Sequence, residues 1–143
     1  MSKWDLLYLD IADRVGLMSH AVRKKVGAVL VKDRNILAFG YNGTPAGMDN
    51  CCEFKMPTDE RCIKQELVTK PEVLHAESNA IAKIARSTQS SEGSTLYVTL
   101  SPCIECSKLI IQAGIKKVVY REKYRDETPI TFLKANNIEV DQA

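Results

Sequence analysis

The sequence lacks several features that would place it in a specialised class. No apolar run approaches the roughly 20 residues that a membrane-spanning helix needs, which excludes a helical membrane protein. The formal net charge is only +2 in 143 residues, far from the positive excess that is typical of proteins binding duplex DNA or structured RNA. A small anionic ligand stays open, because it requires only a local basic cluster. We therefore expect no membrane and no nucleic-acid partner.

Histidine is scarce, with two residues, and the five cysteines are an odd number. The first residues, "MSKWDLLYLDIADR", carry three aspartates and no uninterrupted apolar stretch, unlike a secretory signal peptide. We therefore expect a cytoplasmic protein, in which cysteines bind metal, react or lie buried more often than they pair. An apolar content of 45% and a charged content of 27% are ordinary, and the length predicts one domain over residues 1–143.

Hydrophobic periodicity predicts a hairpin followed by alternating strands and helices. In chain order we predict a helix over about 4–15, strands "VGAVLV" and "ILAFGYN", a helix over about 75–86, strand "STLYVTL", helix "SPCIECSKLIIQAG", strand "KKVVYR", helix "DETPITFLKANN" and strand "IEV". Ser101 is the expected N-cap of the third helix and Gly114 its C-cap. The order predicts an α/β fold of three layers, α-β-α, with a mixed five-stranded sheet.

The pattern breaks down over about 42–72, where Gly, Pro, Asn and Asp are frequent. We interpret this stretch as a loop insertion, with a short helix near "ERCIKQEL". Long loops in compact domains are usually functional or disordered.

Two short motifs predict a zinc site. Cys103 and Cys106 stand three positions apart at the start of a helix, so their sulfurs share one side, and a helix N-terminus favours thiolates. His75, at the start of another helix, can supply a third ligand. No fourth ligand is evident beside them, and three protein ligands with an open position are typical of catalytic zinc.

Glu77 follows His75 by two positions, so it can reach a zinc-activated water without binding the metal. Such a set suits replacement of an amine by oxygen on a heteroaromatic ring. Each motif alone is weak, because Cys-x-x-Cys is more often a structural zinc half-site or a redox pair. A noncatalytic, zinc-stabilised binding module is therefore the alternative.

The combination "HAE" and "PCIEC" resembles the signature of zinc-dependent cytidine and deoxycytidylate deaminases. The stretches "VGAVLV", "GYNGTPAG", "HAESNAI" and "LYVTLSPCIECSKLIIQAGIKKVVY", with the tyrosine of "EKY", are similar to the deoxycytidylate (dCMP) deaminase branch, including its phage members. Ser78 departs from the leucine that this family often has. The resemblance implies a cytidine-deaminase-like fold and hydrolysis of dCMP to dUMP and ammonia by a zinc-activated water, supplying dUMP for thymidylate synthesis. It also implies His75, Cys103 and Cys106 as Zn2+ ligands and Glu77 as the proton shuttle.

A monophosphate substrate requires further contacts. The resemblance implies that the backbone near Ala76 and Ser101 holds the pyrimidine edge and that Asn42 contacts the sugar. The basic run Arg23, Lys24 and Lys25 is the candidate phosphate site, of which we favour Arg23 and Lys25, and Tyr124 could donate to the phosphate. The alternatives are a solvated basic loop, a turn asparagine and a half-buried surface tyrosine.

The family's regulation implies further partners. Members of the family are often hexamers that dCTP activates and dTTP inhibits. If the source is a phage, the expected cytoplasmic location means the cytoplasm of its host. The loop "GYNGTPAGMDN" would then be regulatory, with Gly43, Thr44, Gly47 and Asn50 around a triphosphate and Mg2+ balancing its charge.

The remaining thiols admit a second, structural zinc, as in some phage-type relatives. Its candidate ligands are His20, Cys51, Cys52, Cys62 and Glu66, with Glu66 on one helical face with Cys62 if "ERCIKQEL" is helical. Free thiols packed under a loop are the alternative. A nucleoside or tRNA deaminase of the same fold is a further rival reading of the whole chain.

Overall fold

The computed structural model describes residues 1–61 and 63–143, and Cys62 lies outside the described residues. Its elements in chain order are α1 (Lys3–Gly16), β1 (Gly27–Lys32), β2 (Asn35–Tyr41), β3 (Glu53–Pro57), β4 (Gln65–Thr69), α2 (Ala76–Ala85), β5 (Thr95–Leu100), α3 (Ile104–Gln112), β6 (Lys117–Glu122), α4 (Thr128–Ala135) and β7 (Glu139–Gln142). None of these helices combines the length and the apolar character that crossing a bilayer requires.

The main sheet has five strands in the order β2-β1-β5-β6-β7. β1 pairs antiparallel with both β2 and β5, whereas β5 with β6 and β6 with β7 pair in parallel. The predicted mixed five-stranded sheet is therefore confirmed.

Helices cover both faces of this sheet because successive side chains of a strand point to opposite sides. On one face Val29 and Val31 pack with Tyr97 against α1. On the other face Ala28 and Leu30 belong to the larger core, which α2, α3 and α4 cover. The predicted three-layer α-β-α arrangement is confirmed.

Two glycines let helices approach the sheet closely. A Cβ on Gly27 would lie 1.9 Å from the Ala12 carbonyl oxygen of α1, and a Cβ on Gly40 would lie 2.5 Å from the Ala76 carbonyl oxygen of α2. Only a residue without a side chain fits such contacts. Gly40 therefore fixes the distance between β2 and the first turn of α2.

The insertion is a β-hairpin and not a loop with a helix. β3 and β4 form a separate two-stranded antiparallel sheet in which Phe54 faces Val68, and the bridge between Gly43 and Leu74 closes its base. The helix expected near "ERCIKQEL" is wrong, because the last three residues of that stretch, 65–67, belong to β4. Val68 and Thr69 are β-branched, and pairing with β3 satisfies the backbone groups that a short exposed helix would leave open.

The helix ends also differ from expectation. Cys103, with extended backbone angles, is the N-cap of α3, and its Sγ accepts from the Cys106 backbone N–H at 3.5 Å. The expected N-cap Ser101 is wrong, because its hydroxyl oxygen is occupied by the Tyr124 backbone N–H at 2.7 Å. Gly114 follows the C-cap Ala113 with a φ of 75°, a left-handed conformation that suits glycine.

Candidate active site and metal centre

The site is built where the N-termini of α2 and α3 meet beside the end of β5. His75 is the N-cap of α2 and has an extended backbone, which directs its ring away from the helix. Cys103 occupies the same position on α3, and Cys106 lies one turn further along. Two helix starts therefore present three ligand-type side chains to one point.

The ligand atoms of these three residues are close enough to share a metal ion. The Nδ1 of His75 lies 3.4 Å from the Sγ of Cys103 and 3.3 Å from the Sγ of Cys106, and all three atoms lie within 4.8 Å of one another. Bond lengths of about 2.3 Å to sulfur and 2.0–2.1 Å to nitrogen in a tetrahedron place such atoms about 3.6 Å apart. The spacing and the donor set therefore fit Zn2+.

The set holds three residues, and within residues 1–61 and 63–143 no fourth histidine, cysteine or carboxylate joins it. Structural zinc sites are usually closed by four protein ligands, whereas catalytic sites keep one position for water or substrate. The arrangement therefore matches a reactive metal centre better than a purely structural one.

The two thiols differ in their electrostatics. Hydrogen bonding from the Cys106 thiol and from His75 lowers the pKa of Cys103 to about 4, which favours a thiolate ligand. The same contact with Cys103, together with burial and the neighbouring Glu77, raises the pKa of Cys106. Contact with the Cys103 sulfur also raises the pKa of His75. Metal binding would replace these protons and hold both sulfurs as thiolates.

Glu77 lies buried next to this set, with only 4% of its surface exposed. Its pKa is raised, because burial disfavours the charged carboxylate more than the local hydrogen bonds favour it. A carboxyl group whose pKa is shifted toward neutrality can both accept and return a proton. Glu77 therefore has the environment of a general acid and base.

A cavity of about 340 Å³ opens over the site. Its lining includes the sequence candidates Arg23, Asn42, His75, Ala76, Glu77, Ser101, Cys103 and Tyr124. Lys25 is not among the lining residues that the structure describes, and its neighbour Lys24 lines the wall instead. The Lys24 ammonium also pairs with Glu122 at 2.6 Å, which ties it to the end of β6.

Asn42 links two parts of the wall. Its Oδ1 accepts from the Val26 backbone N–H at 2.9 Å, and its Nδ2 donates to the Lys24 carbonyl at 2.7 Å. The side chain thus fixes the backbone beside the basic run, in addition to facing the cavity. Ser101 has a similar role, because its hydroxyl oxygen accepts from the backbone N–H of Tyr124.

Sequence reasoning missed the contribution of the hairpin. The cavity is also lined by Cys52, just before β3, by Glu53, its first residue, and by Thr69 at the end of β4. Glu53 is a buried carboxylate, and the Thr69 hydroxyl accepts from Arg23 at 3.3 Å. No short motif marks these positions, because their placement follows from strand pairing inside the insertion.

In the expected regulatory loop residues 46–50 are exposed, but groups elsewhere in the loop are already hydrogen-bonded. The Gly43 N–H donates to the Leu74 carbonyl at 3.0 Å, and the Thr44 hydroxyl donates to the Asp49 carbonyl at 2.8 Å. Gly47 has a φ of 88°, a conformation that suits glycine, and Asn50 is exposed. The Gly43 amide is therefore not free to bind a phosphate.

The described residues do not bring together the expected ligands of a second zinc. Within them, the one group of three or more metal-ligating side chains is the His75 set, so His20, Cys51, Cys52 and Glu66 form no such group. Glu66 lies on a strand and not on a helix. Cys62, the fifth candidate, lies outside the described residues.

The fold and the site together define a zinc-binding deaminase class, with a His-Cys-Cys set beside a buried glutamate. The chain belongs to the cytidine and deoxycytidylate deaminase family, whose zinc-binding region matches residues 2–122.

Several individual proteins to which the chain is similar are deoxycytidylate deaminases. The chain is 39% identical to the deoxycytidylate deaminase of Enterobacteria phage T4, over 85% of this chain and 79% of that protein. It also resembles the dCMP deaminase of cyanophage S-TIM5, solved in complex with dCMP and dUMP, with 43% identity, a TM-score of 0.88 and coverage of 100% of this chain and 99% of that one. The apo form of the cyanophage protein gives 41% identity and a TM-score of 0.84, with both chains fully covered.

Proposed function

We propose that this protein hydrolyses dCMP to dUMP and ammonia. The observation that carries the proposal is the buried Glu77 carboxyl beside a three-ligand metal set in a cavity whose wall also carries Arg23 and Lys24. A similar cyanophage dCMP deaminase was solved with dCMP and dUMP, the substrate and product of this reaction. One domain over residues 1–143, with the hairpin as an insertion, would supply the whole cavity.

The proposed roles follow the geometry. His75, Cys103 and Cys106 would hold Zn2+, which when bound supplies Lewis-acid activation of a water molecule. Glu77 takes a proton from this water as its oxygen adds to C4 of the pyrimidine. Glu77 then delivers a proton to the amino group, and the carbon–nitrogen bond breaks to release ammonia. The backbone of Ala76 and Ser101 would hold the pyrimidine edge.

We assign recognition of the monophosphate to the basic wall, which is the part of the cavity lining formed by Arg23 and Lys24. Arg23 and Lys24 both line the cavity, and their charges would attract the phosphate. Tyr124 also lines the cavity, and its hydroxyl could donate to the phosphate. Asn42 could contact the sugar while its amide holds the Lys24 backbone. We leave Lys25 out of this set.

We extend the proposal to regulation and assembly. The match of the "GYNGTPAG" loop to the family supports activation by dCTP and inhibition by dTTP, with Mg2+ beside the triphosphate and with Thr44, Gly47 and Asn50 as contacts. Exposed Ile104 and Leu109 on α3 suit burial in an assembly, proposed as a hexamer. We place this reaction in the cytoplasm, as a supply of dUMP for thymidylate synthesis.

An ammonia-release assay on purified protein tests the proposal. Cytidine, deoxycytidine, dCMP and dCTP are compared at equal concentrations, each with and without added zinc. We expect dCMP to have the highest kcat/KM by at least about 100-fold, because only a monophosphate satisfies the basic wall without overfilling it. Added dCTP should shift a sigmoidal dCMP curve to lower concentrations and make it less sigmoidal, and dTTP should suppress the velocity.

Other results would contradict separate parts of the proposal. Preference for a free nucleoside would overturn the substrate assignment, and no ammonia from any of the four would favour the noncatalytic module. Identical velocity curves with and without dCTP would remove the regulatory part alone.

A further inference from the structure

Arg23 and Lys24 lie on a segment that belongs to none of the described strands. Residues 19–26, between α1 and β1, are held instead by bonds from elsewhere in the chain. The Ser19 hydroxyl donates to the Asn42 carbonyl at 2.6 Å and accepts from the Ala21 N–H at 3.1 Å. The Asn42 amide then fixes the segment's far end at Lys24 and Val26.

The middle of this 19–26 segment is anchored by the hairpin. Both carboxylate oxygens of Glu53 accept from the Val22 backbone N–H, at 2.8 and 3.1 Å. The Val22 side chain itself is 74% exposed, so packing of this side chain does not hold the segment there. Arg23, the next residue, reaches the hairpin through its bond to Thr69.

Glu53 is buried to 93% of its surface, since 7% is exposed. Among the described residues it forms no ion pair with a lysine or arginine. A buried carboxylate without a cationic partner is costly and is usually retained for a specific contact. Here that contact is one backbone amide, directly before the two cations that line the cavity.

We propose that Glu53 is a positioning residue for recognition of the substrate's phosphate group. By holding the Val22 amide, it sets where the Arg23 and Lys24 side chains enter the cavity, and so links the β3–β4 insertion to substrate affinity. Glu53 would not contact the phosphate, because two anions would repel. This inference rests on the proposed function, which supplies a phosphate-bearing substrate.

Steady-state kinetics and calorimetry on Glu53 variants test the inference. Glu53→Ala should raise the KM for dCMP about tenfold and weaken dUMP affinity by a similar factor, with kcat within about twofold, since the charge-assisted hydrogen bond that is lost involves neither the metal set nor Glu77. Glu53→Gln keeps an acceptor for the Val22 amide, so it should recover dUMP affinity to within about threefold of wild type.

A double-mutant comparison with Arg23 distinguishes a positioning role of Glu53 from general damage to the structure. In an Arg23→Ala background, adding Glu53→Ala should raise KM further by only about threefold, because one of the two cations that Glu53 positions is already gone. Glu72→Ala removes an exposed carboxylate from the same insertion and should leave KM unchanged. Melting temperatures of all variants are compared, and if Glu53→Ala does not fold, Glu53→Asp, whose shorter side chain withdraws the carboxylate from the Val22 amide, takes its place alone and with Arg23→Ala.

A Glu53→Ala protein with wild-type KM and dUMP affinity would overturn the inference, as would equal effects of that change with and without Arg23. Wild-type protein that releases no ammonia from dCMP yet binds dUMP would overturn the proposed function alone, and the titrations would still decide the role of Glu53. Wild-type protein that neither turns over dCMP nor binds dUMP would overturn both.

Discussion

The Nδ1 atom of His75 lies 3.3 Å from the Sγ of Cys106, although 30 residues of chain and the whole of β5 separate them. This contact joins the start of α2 to the first turn of α3. The distance is short enough for both atoms to bind one metal ion. Apolar packing does not account for a contact between an imidazole nitrogen and a thiol sulfur.

Replacing Cys106 by serine should therefore remove the metal. A hydroxyl is a poor zinc ligand at neutral pH, so we expect zinc affinity to fall by more than about 100-fold. This loss is larger than the usual effect of removing a residue that only hydrogen-bonds to a metal ligand. Metal analysis of dialysed protein measures it. Cys51→Ser is the matched control, and we expect it to keep the zinc content of the wild type. Full zinc retention in Cys106→Ser would contradict the assignment.

The spacing of β2 and α2 gives a prediction about Gly40. In Gly40→Ala the new methyl would meet the backbone of Ala76 and Ala80 at 2.5 and 2.6 Å, so α2 must move. Overpacking of this kind costs about 1–3 kcal/mol of unfolding free energy. Because α2 carries His75 and Glu77, we also expect at least a tenfold loss of kcat, measured by ammonia release. Unchanged kcat with lowered stability would show that the site tolerates movement of α2.

Asp5 gives a pH-dependent prediction about stability. Burial acts to raise its pKa, but hydrogen bonds from Tyr97 at 2.8 Å and from the capping box with Ser2 outweigh it, so the folded-state pKa is lowered. A lowered pKa means stability that is present above the unfolded value of about 3.9 and lost as pH falls through the folded value.

Asp5→Asn should accordingly be less stable than wild type by about 1 kcal/mol at pH 7, and the gap should close below about pH 4. Denaturant unfolding at several pH values measures both. Asp33→Asn, in an exposed turn, serves as the control for removal of a carboxylate. A gap that stays constant down to pH 3 would show that the charge of Asp5 contributes nothing.

The main sheet and the metal set were accessible to sequence reasoning because their signals are local. The short, continuously buried run "GAVLV" and the helix starts at His75 and Cys103 follow from short-range patterns. The same patterns predicted which residues meet, since parallel β5 and β6 and their flanking helices place both motifs at one edge of the sheet.

The hairpin was not accessible for the opposite reason. "ERCIKQEL" has an apolar spacing that suits a helix, and only its pairing with β3 makes part of it a strand. The burial of Glu53 and the exchange of Lys25 for Lys24 in the cavity wall depend on that pairing and on the bonds of Asn42. Contacts between distant segments of this kind leave no periodicity in the sequence.

The most direct test concerns the Glu77 carboxyl. Glu77→Gln keeps the size of the side chain and, because Glu77 lies outside the metal set, should keep about one zinc per chain by metal analysis. The amide cannot shuttle a proton, so we predict that ammonia release from dCMP falls by at least about 10³-fold, at the level expected for loss of a general acid and base. A zinc-loaded Glu77→Gln protein with near wild-type kcat would contradict the mechanism, and loss of zinc would show instead that Glu77 is a ligand.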